Sequence, residues 1–274
     1  KRISENSINV RRYYMATDLQ FDDAINRALK MAYLTPEIVD ARAKVVQALQ
    51  LRAGQKVLDI GSGPGLLASD IAKRVGEVGS VVGIDLADNM LNSARELCSD
   101  TPWVTFEQAD AMSLPFDDNS FDAVVSTQVY EYVPDLEAAL VEFARVLRPG
   151  GHGVIVDTDW AFPYWNAVDF TLHDRMIKAW KGHCMQESVP LRLPAAIKSA
   201  GLQLVKVQAL PISNTVYDEN GFSFWLSSII KAFAVGRNGI EKPDADRWIK
   251  DLHELGRKGE YFFCINRYLF EITK

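Results

Sequence analysis

Three glycines at alternate positions, Gly61, Gly63 and Gly65 in VLDIGSGPG, stand between an apolar run and a helical stretch. Glycine lets a backbone bend sharply and pass close to a ligand. A glycine turn between strand and helix is the setting that nucleotide binding needs. Asp85 closes the next apolar run, SVVGIDL. A carboxylate at such a strand end needs a partner, and ribose hydroxyls supply one. The third glycine comes one residue earlier than in G-x-G-x-x-G. By themselves these residues suit a nicotinamide dinucleotide as well as another nucleoside cofactor.

The elements that position these residues alternate. VLDIG (57–61), SVVGIDL (80–86), WVTFEQAD (103–110), FDAVVST (121–127) and HGVIVDTD (152–159) read as strands. Helical stretches near 66–74, 88–97 and 136–147 separate most of them, and Arg148-Pro-Gly-Gly151 is expected to stop the last. Such alternation predicts βαβ units and a parallel sheet. Pro36 opens a helix at its first turn, where its missing N–H costs nothing. Later in the chain a helix near 193–200 ends at Gly201, a suitable residue just past a helix end. LQLVKVQAL (202–210) and YFFCINRYLFEI (261–272) complete seven strands. The expected fold class is α/β, a seven-stranded, mostly parallel sheet with helices on both faces. Residues 1–35 read as an N-terminal arm or lid, and 36–274 as the main domain. Helical inserts at about 162–188 and 212–258 are expected to form a cap.

Composition narrows the classes. The chain has 274 residues, 48% hydrophobic, enough for a sizeable core without staples. Its net charge of −6 offers no general attraction to phosphate backbones, so no nucleic-acid partner is expected. The densest basic cluster, Lys1, Arg2, Arg11 and Arg12, reads as a solvated terminus. Cys98, Cys184 and Cys264 are an odd, widely spaced set, which suggests a reducing, cytoplasmic setting. No apolar run approaches the roughly 18 residues of a membrane span. KRISENSINVRRYY has no apolar stretch of the signal-peptide kind, and a start at Lys1 fits a trimmed N-terminus. Neither a membrane nor a metal partner is expected; the oligomeric state is open.

VLDIGSGPG, GIDLADNM, ADAMSLPFDDNSFDAVVS and VPDLEAALVEFARVLRPGG, in that order, together resemble class I, Rossmann-like S-adenosylmethionine methyltransferases. The resemblance is greatest to the subgroup with ubiquinone and menaquinone C-methyltransferases and many natural-product methyltransferases. It covers roughly 36–159. It implies a Rossmann-like methyltransferase sheet, S-adenosylmethionine as cofactor, S-adenosylhomocysteine as product and a small-molecule methyl acceptor. Residue by residue, it implies that Asp59 orients the glycine loop and the methionine amino group. Gly61 and Gly63 would pass the methionyl part, and Asp85 would hold both ribose hydroxyls. Asn89 and Met90 would flank ribose and adenine. Asp110 would accept the adenine amino proton, with Ala111 or Met112 on the ring. Thr127 and Gln128 would border the methionyl tail, and Arg42 its carboxylate. Plainer readings stand beside these: turn formers at Asp59 and Asp110, core filling by Met90, and a solvated helix face at Arg42 and Asn89.

On the acceptor side, related enzymes often carry a His-His pair before the Pro-Asp turn, where this chain has Glu131-Tyr132 in VYEYVPD. Glu131 is then a candidate base, or a partner for a cationic acceptor, and Tyr132 an orienting group. A helix-start carboxylate is the plainer reading of Glu131. Asp159 and Trp160, after Asp157 and Thr158, are candidate acceptor contacts, a carboxylate beside an aromatic face. Tyr14, with Tyr13, belongs to an aromatic arm that resembles a closing lid; Tyr14 is the second candidate catalytic residue. His173 and His183 read as surface or core residues rather than catalysts, and the Phe222–Trp225 stripe as core. Two other functions compete: a nicotinamide-dependent oxidoreductase, and a non-catalytic cofactor-binding regulator on the same fold.

Overall fold

The computed structural model describes residues 23–274, so Tyr13, Tyr14, Lys1, Arg2, Arg11 and Arg12 lie outside the described residues. The chain divides into two compact units. A sheet unit takes Ala41–Thr158, Ser188–Leu210 and Arg267–Lys274. A helical unit takes the residues up to Asp40, Asp159–Glu187 and Pro211–Asn266.

The sheet unit is built on β1 (Lys56–Ile60), β2 (Ser80–Asp85), β3 (Val104–Gln108), β4 (Phe121–Thr127) and β5 (Leu147–Thr158). These run parallel in the order β3-β2-β1-β4-β5. β8 (Phe263–Thr273) follows antiparallel on β5, with Val156 opposite Leu269, and β7 (Gln203–Asn214) pairs with β8. The central parallel strands β1 and β4 are covered on both faces, which is why they are apolar without alternation, whereas the edge strand β3 alternates. Val57, Val81, Val125 and Val154 pack on one face with Leu67, Ile71 and Leu91. Leu58, Ile84, Val124 and Ile155 pack on the other with Leu136, Leu140 and Phe143. Each fully buried side chain of this kind contributes about 1.5–3 kcal/mol. The helices that carry these partners are α3 (Leu66–Val75), α4 (Asp88–Leu97) and α5 (Leu136–Val146), after α1 (Asp23–Leu34) and α2 (Pro36–Ala48). Chain order reverses between β1 and β4, so their carboxyl ends flank the crevice where open α/β sheets bind ligands.

The helical unit has its own core. Between β5 and β7 lie the two-residue β6 (Tyr164–Trp165), α6 (Phe170–Lys181) and α7 (Val189–Ser199), of which α7 belongs to the sheet unit. α8 (Phe222–Ala234) and α9 (Lys242–Lys258) fill the later insert. Trp248, Phe263, Met176, Ile230 and Leu252 are at most 1% exposed at its centre. His173 and His183 are buried there too. Nδ1 of His173 accepts the Trp248 indole N–H at 3.1 Å, and burial pulls its pKa down to about 4. Burial likewise lowers His183 to about 4. Both rings are therefore neutral at pH 7.

Two details differ from the sequence reading. Eight strands are present among the described residues rather than seven; the extra one, β6, pairs with Phe263–Cys264 and is too short to leave a periodic signal. Helix α5 ends at Val146, and Arg148–Gly151 already lies in β5. A register shift between Phe121 and Ala123 lets β5 begin that early.

Candidate cofactor and active site

The glycine turn leaves β1 at the crevice. Gly61, Gly63 and Gly65 all have positive φ, at 68°, 51° and 80°. A Cβ at Gly61 would lie 2.2 Å from Val129 Cγ2, because the ends of β1 and β4 adjoin. A Cβ at Gly65 would lie 2.9 Å from Ala94 Cβ on α4. At Gly63 a Cβ would meet nothing within 4 Å. Gly61 and Gly65 are thus fixed by packing, while Gly63 borders open space. Gly61→Ala is expected to cost roughly 3 kcal/mol, from left-handed strain plus overpacking. Gly63→Ala is expected to cost about 1 kcal/mol, from strain alone. Thermal unfolding of both variants checks this; equal losses would refute the distinction.

Two carboxylates meet this turn in opposite ways. Asp85 Oδ2 accepts the Gly63 N–H at 2.9 Å, and Oδ1 accepts the Ala87 N–H at 2.9 Å. Burial raises the Asp85 pKa, and these amides offset part of the rise. Asp59 is 1% exposed, and neither of its oxygens has a hydrogen-bond partner. Burial, with the Asp85 charge adding, pushes its pKa up to about 8; the nearby Ala68 N–H offsets only part.

The remaining cofactor-side residues are spread along the strand ends. Asp110 Oδ1 accepts the Met112 N–H at 2.9 Å, which closes a tight turn carrying Ala111. Ala111 is buried, and Met112 is half-buried against the same core. Asn89 is exposed on the first turn of α4 and Met90 is half-buried. Thr127 ends β4 opposite Val156. Arg42 Nε donates to Asp70 Oδ2 at 2.8 Å, an ion pair that sequence alone did not indicate.

Past β4, Gln128 has φ 57°, a left-handed conformation uncommon for a side chain of this size. Its N–H donates to Val156 O at 2.8 Å. Its amide nitrogen donates to Glu131 Oε2 at 3.1 Å, and its amide oxygen accepts the Thr158 hydroxyl at 2.8 Å. Glu131 is 1% exposed in the 3₁₀ turn Tyr130–Tyr132, and Tyr132 is half-buried. Asp159 and Trp160 belong to the helical unit. Asp159 Oδ1 accepts the Ala161 N–H at 3.2 Å, and Trp160 packs edge-on against Trp180 and His183. The structure thus brings Asp59, Gly63 and Asp85 together, and separately Gln128, Glu131 and Thr158. Sequence reasoning passed over Arg145, whose guanidinium holds the 114–118 loop, and gave Thr158 no role.

Residues 58–155 match the family model described as a methyltransferase domain. A demethylmenaquinone methyltransferase of Desulfitobacterium hafniense is 38% identical over 152 residues, 52% of this chain and 59% of that relative. The chain thus spans less than two thirds of that relative's length. Among solved structures, a putative methyltransferase of Bacillus halodurans superposes with a TM-score of 0.61 at 20% identity, covering 86% of this chain and 99% of that one. A [4+2]-cyclase superposes with a TM-score of 0.57 at 18% identity, covering 86% and 80%. Those two likenesses establish the fold alone, and a fold hosts more than one chemistry. The sequence match is what specifies the likeness: residues 58–155 match a methyltransferase domain, and over 152 residues the chain is similar to a demethylmenaquinone methyltransferase.

Proposed function

We propose that the chain transfers a methyl group from S-adenosylmethionine to a small-molecule acceptor and leaves S-adenosylhomocysteine. One observation carries this reading: the buried, unpartnered Asp59 carboxylate beside the open Gly63 turn. A buried carboxylate without a partner is costly. The cofactor's ammonium group supplies that partner, so the residues present fit it. Asp85 keeps acceptor capacity for ribose hydroxyls, since each carboxylate oxygen has more than one lone pair. Asp110 on its tight turn, with Ala111 and Met112, would border the adenine. Asn89 and Met90 would flank the ribose, and Thr127 and Gln128 the methionyl tail. Arg42, already paired with Asp70, would meet the cofactor's carboxylate through that ion pair's positive edge.

The cofactor supplies an activated methyl when bound. The chain's task is then to hold the acceptor in line and to keep water out. Glu131 is the candidate proton acceptor, with Tyr132 orienting the acceptor. Asp159 and Trp160 are candidate acceptor contacts. No helix among the described residues is long and apolar enough to cross a membrane.

Calorimetric titration with S-adenosylmethionine, S-adenosylhomocysteine and NADH tests the reading. Micromolar binding of the first two and none of the third is expected. Binding of NADH alone would return the turn to a dehydrogenase. Asp85→Ala is expected to weaken S-adenosylmethionine binding at least tenfold, about 1.4 kcal/mol. Unchanged affinity would remove the assignment.

A further inference from the structure

The glycine turn that follows β1 meets an aromatic ring from β3, two strands away at the edge of the sheet unit. Phe106 on β3 is in register with Gly83 on β2. Residues in register point to one face of a sheet, and on this face Phe106 packs with Leu67, Ala68, Leu91 and Ala94. Gly83 has no side chain, so the ring passes over β2 towards the turn. A Cβ at Gly83 would lie 2.6 Å from Phe106 Cδ1 and Cε1, and 2.9 Å from Ser62 Cβ. A Cβ at Gly65 would lie 3.1 Å from Phe106 Cζ, besides its clash with Ala94. One edge of the ring thus runs from β2 to the last glycine of the turn.

The turn needs such a support. Gly61, Gly63 and Gly65 give it little stiffness of its own, because glycine restricts the backbone least. Two bonds tie it to the end of β2. Ser62 donates its N–H to Ile84 O at 2.8 Å, and Gly63 donates its N–H to Asp85 Oδ2 at 2.9 Å. These bonds fix where the turn is attached. The space beneath Ser62 and Gly65 is filled by the ring, and a closely packed ring cannot be withdrawn without its neighbours shifting.

The ring is itself held in place. Arg95 on α4 donates from Nη2 to Phe106 O at 3.0 Å. Two residues on, Gln108 donates from Nε2 to Leu86 O at 2.7 Å. These bonds fasten the edge strand to α4 and to the end of β2, on either side of Phe106.

We propose that Phe106 is the positioning residue of the glycine turn: its ring, set where Gly83 has no side chain and against Gly65, holds Ser62–Gly65 in the course that leaves Gly63 open to the cofactor. This rests on the reading of the turn as the S-adenosylmethionine site. Phe106 acts through the turn and needs no contact with the cofactor. The ring also gives a reason for a glycine at position 65, where any side chain meets both Phe106 and Ala94.

Amide hydrogen exchange of the ligand-free full chain tests this. In Phe106→Leu, exchange at Ser62 and Gly63 is expected to speed up about tenfold or more beyond the change at Val124 and Val125 on the central strand β4, which reports the general loss of stability. Gly83→Ala is expected to act in the same way with the ring still present, because the added methyl forces it aside. Gly83 has no left-handed φ, so backbone strain does not enter. Phe143→Leu, a like change in the core on the other face of the sheet, is expected to leave the Ser62 and Gly63 amides in step with those of β4. By calorimetry, S-adenosylmethionine affinity is expected to fall about tenfold or more in Phe106→Leu and Gly83→Ala, and to stay within about twofold of wild type in Phe143→Leu. Exchange at Ser62 and Gly63 that rises no more than at Val124 and Val125 in either variant overturns the proposal, and Gly83→Ala decides it if Phe106→Leu does not fold. Faster local exchange with unchanged affinity overturns it too. A wild type that binds no S-adenosylmethionine refutes the cofactor reading instead, and the two failures are told apart because exchange is read without ligand.

Discussion

Asp59→Asn is expected to make the ligand-free protein more stable at pH 8 and a poorer binder of S-adenosylmethionine. The sign follows from the raised pKa. In the unfolded chain Asp59 loses its proton near the ordinary value of 3.8; in the folded chain it does so near 8. Between those values the folded state holds a proton that the unfolded state has released. Stability therefore falls as pH rises from about 4 to about 8, and levels off above. The loss available over that window is on the order of 6 kcal/mol. Asn cannot ionise, so its stability curve should flatten across the window by several kcal/mol, while the cost of a buried amide shifts the curve without changing its slope. Asp157 keeps its own contribution of the same sign in both proteins. Binding reverses the balance: an ammonium beside Asp59 favours the carboxylate. The wild type should release close to one proton on binding S-adenosylmethionine at pH 7, read by calorimetry in buffers of different ionisation enthalpy. Asp59→Asn should release none and bind more than tenfold weaker, over 1.4 kcal/mol. A variant with wild-type pH dependence and proton release would refute the role of Asp59.

The contrast between Asp59 and Asp85 shows what sequence reveals and where it stops. Asp85 was visible as an acid closing an apolar strand, where a carboxylate contradicts the pattern around it, and Asp59 through the resemblance that VLDIGSGPG carries. Which one is satisfied by backbone amides and which is left bare depends on how the turn folds back. Gly63 donates to Asp85 across 22 positions, and no local rule contains that contact. The central parallel strands were legible because burial on both faces removes alternation. β6 was not, because two residues carry no period. Glu131 was legible as a departure from a familiar pair; Phe106 read only as a strand residue. Its meaning comes from its register with Gly83, a fact of topology. His173 and His183 show the reverse. A lone histidine in a helical insert reads as either surface or core, and the structure makes both rings neutral and buried.

Arg145→Met is expected to lower both stability and cofactor affinity, although Arg145 touches no candidate ligand position. From the sequence it forms an i,i+3 helix pair with Glu142, which on a surface is worth only about 0.3–0.5 kcal/mol. The fold makes it a staple. Nε and Nη2 donate to Glu142 Oε1 and Oε2 at 2.7 and 2.9 Å. Nη1 donates to Phe116 O at 2.6 Å and to Asp118 Oδ1 at 2.9 Å, and Nη2 to Leu114 O at 2.9 Å. Glu142 Oε2 in turn accepts the Leu114 N–H at 2.7 Å. The guanidinium is 27% exposed, so these bonds are only partly screened. Met fills similar volume but leaves two backbone carbonyls and a carboxylate short of donors, a loss of about 2–4 kcal/mol. For a domain of this size the melting temperature should fall by roughly 10 °C. Glu142 adds a pH signature: its pKa is lowered chiefly by the Arg145 hydrogen bonds. That contribution is present above the ordinary glutamate range and is lost as pH falls through the folded value, so acid unfolding of the variant should begin at higher pH. The stapled loop follows directly on the Asp110 turn, whose Met112 N–H bond depends on the loop's course. S-adenosylmethionine binding should therefore weaken roughly tenfold. Arg145→Lys, which keeps the charge but not the planar fork, should fall between the two. A melting temperature within about 2 °C of wild type in Arg145→Met would show that the loop holds its course without the staple.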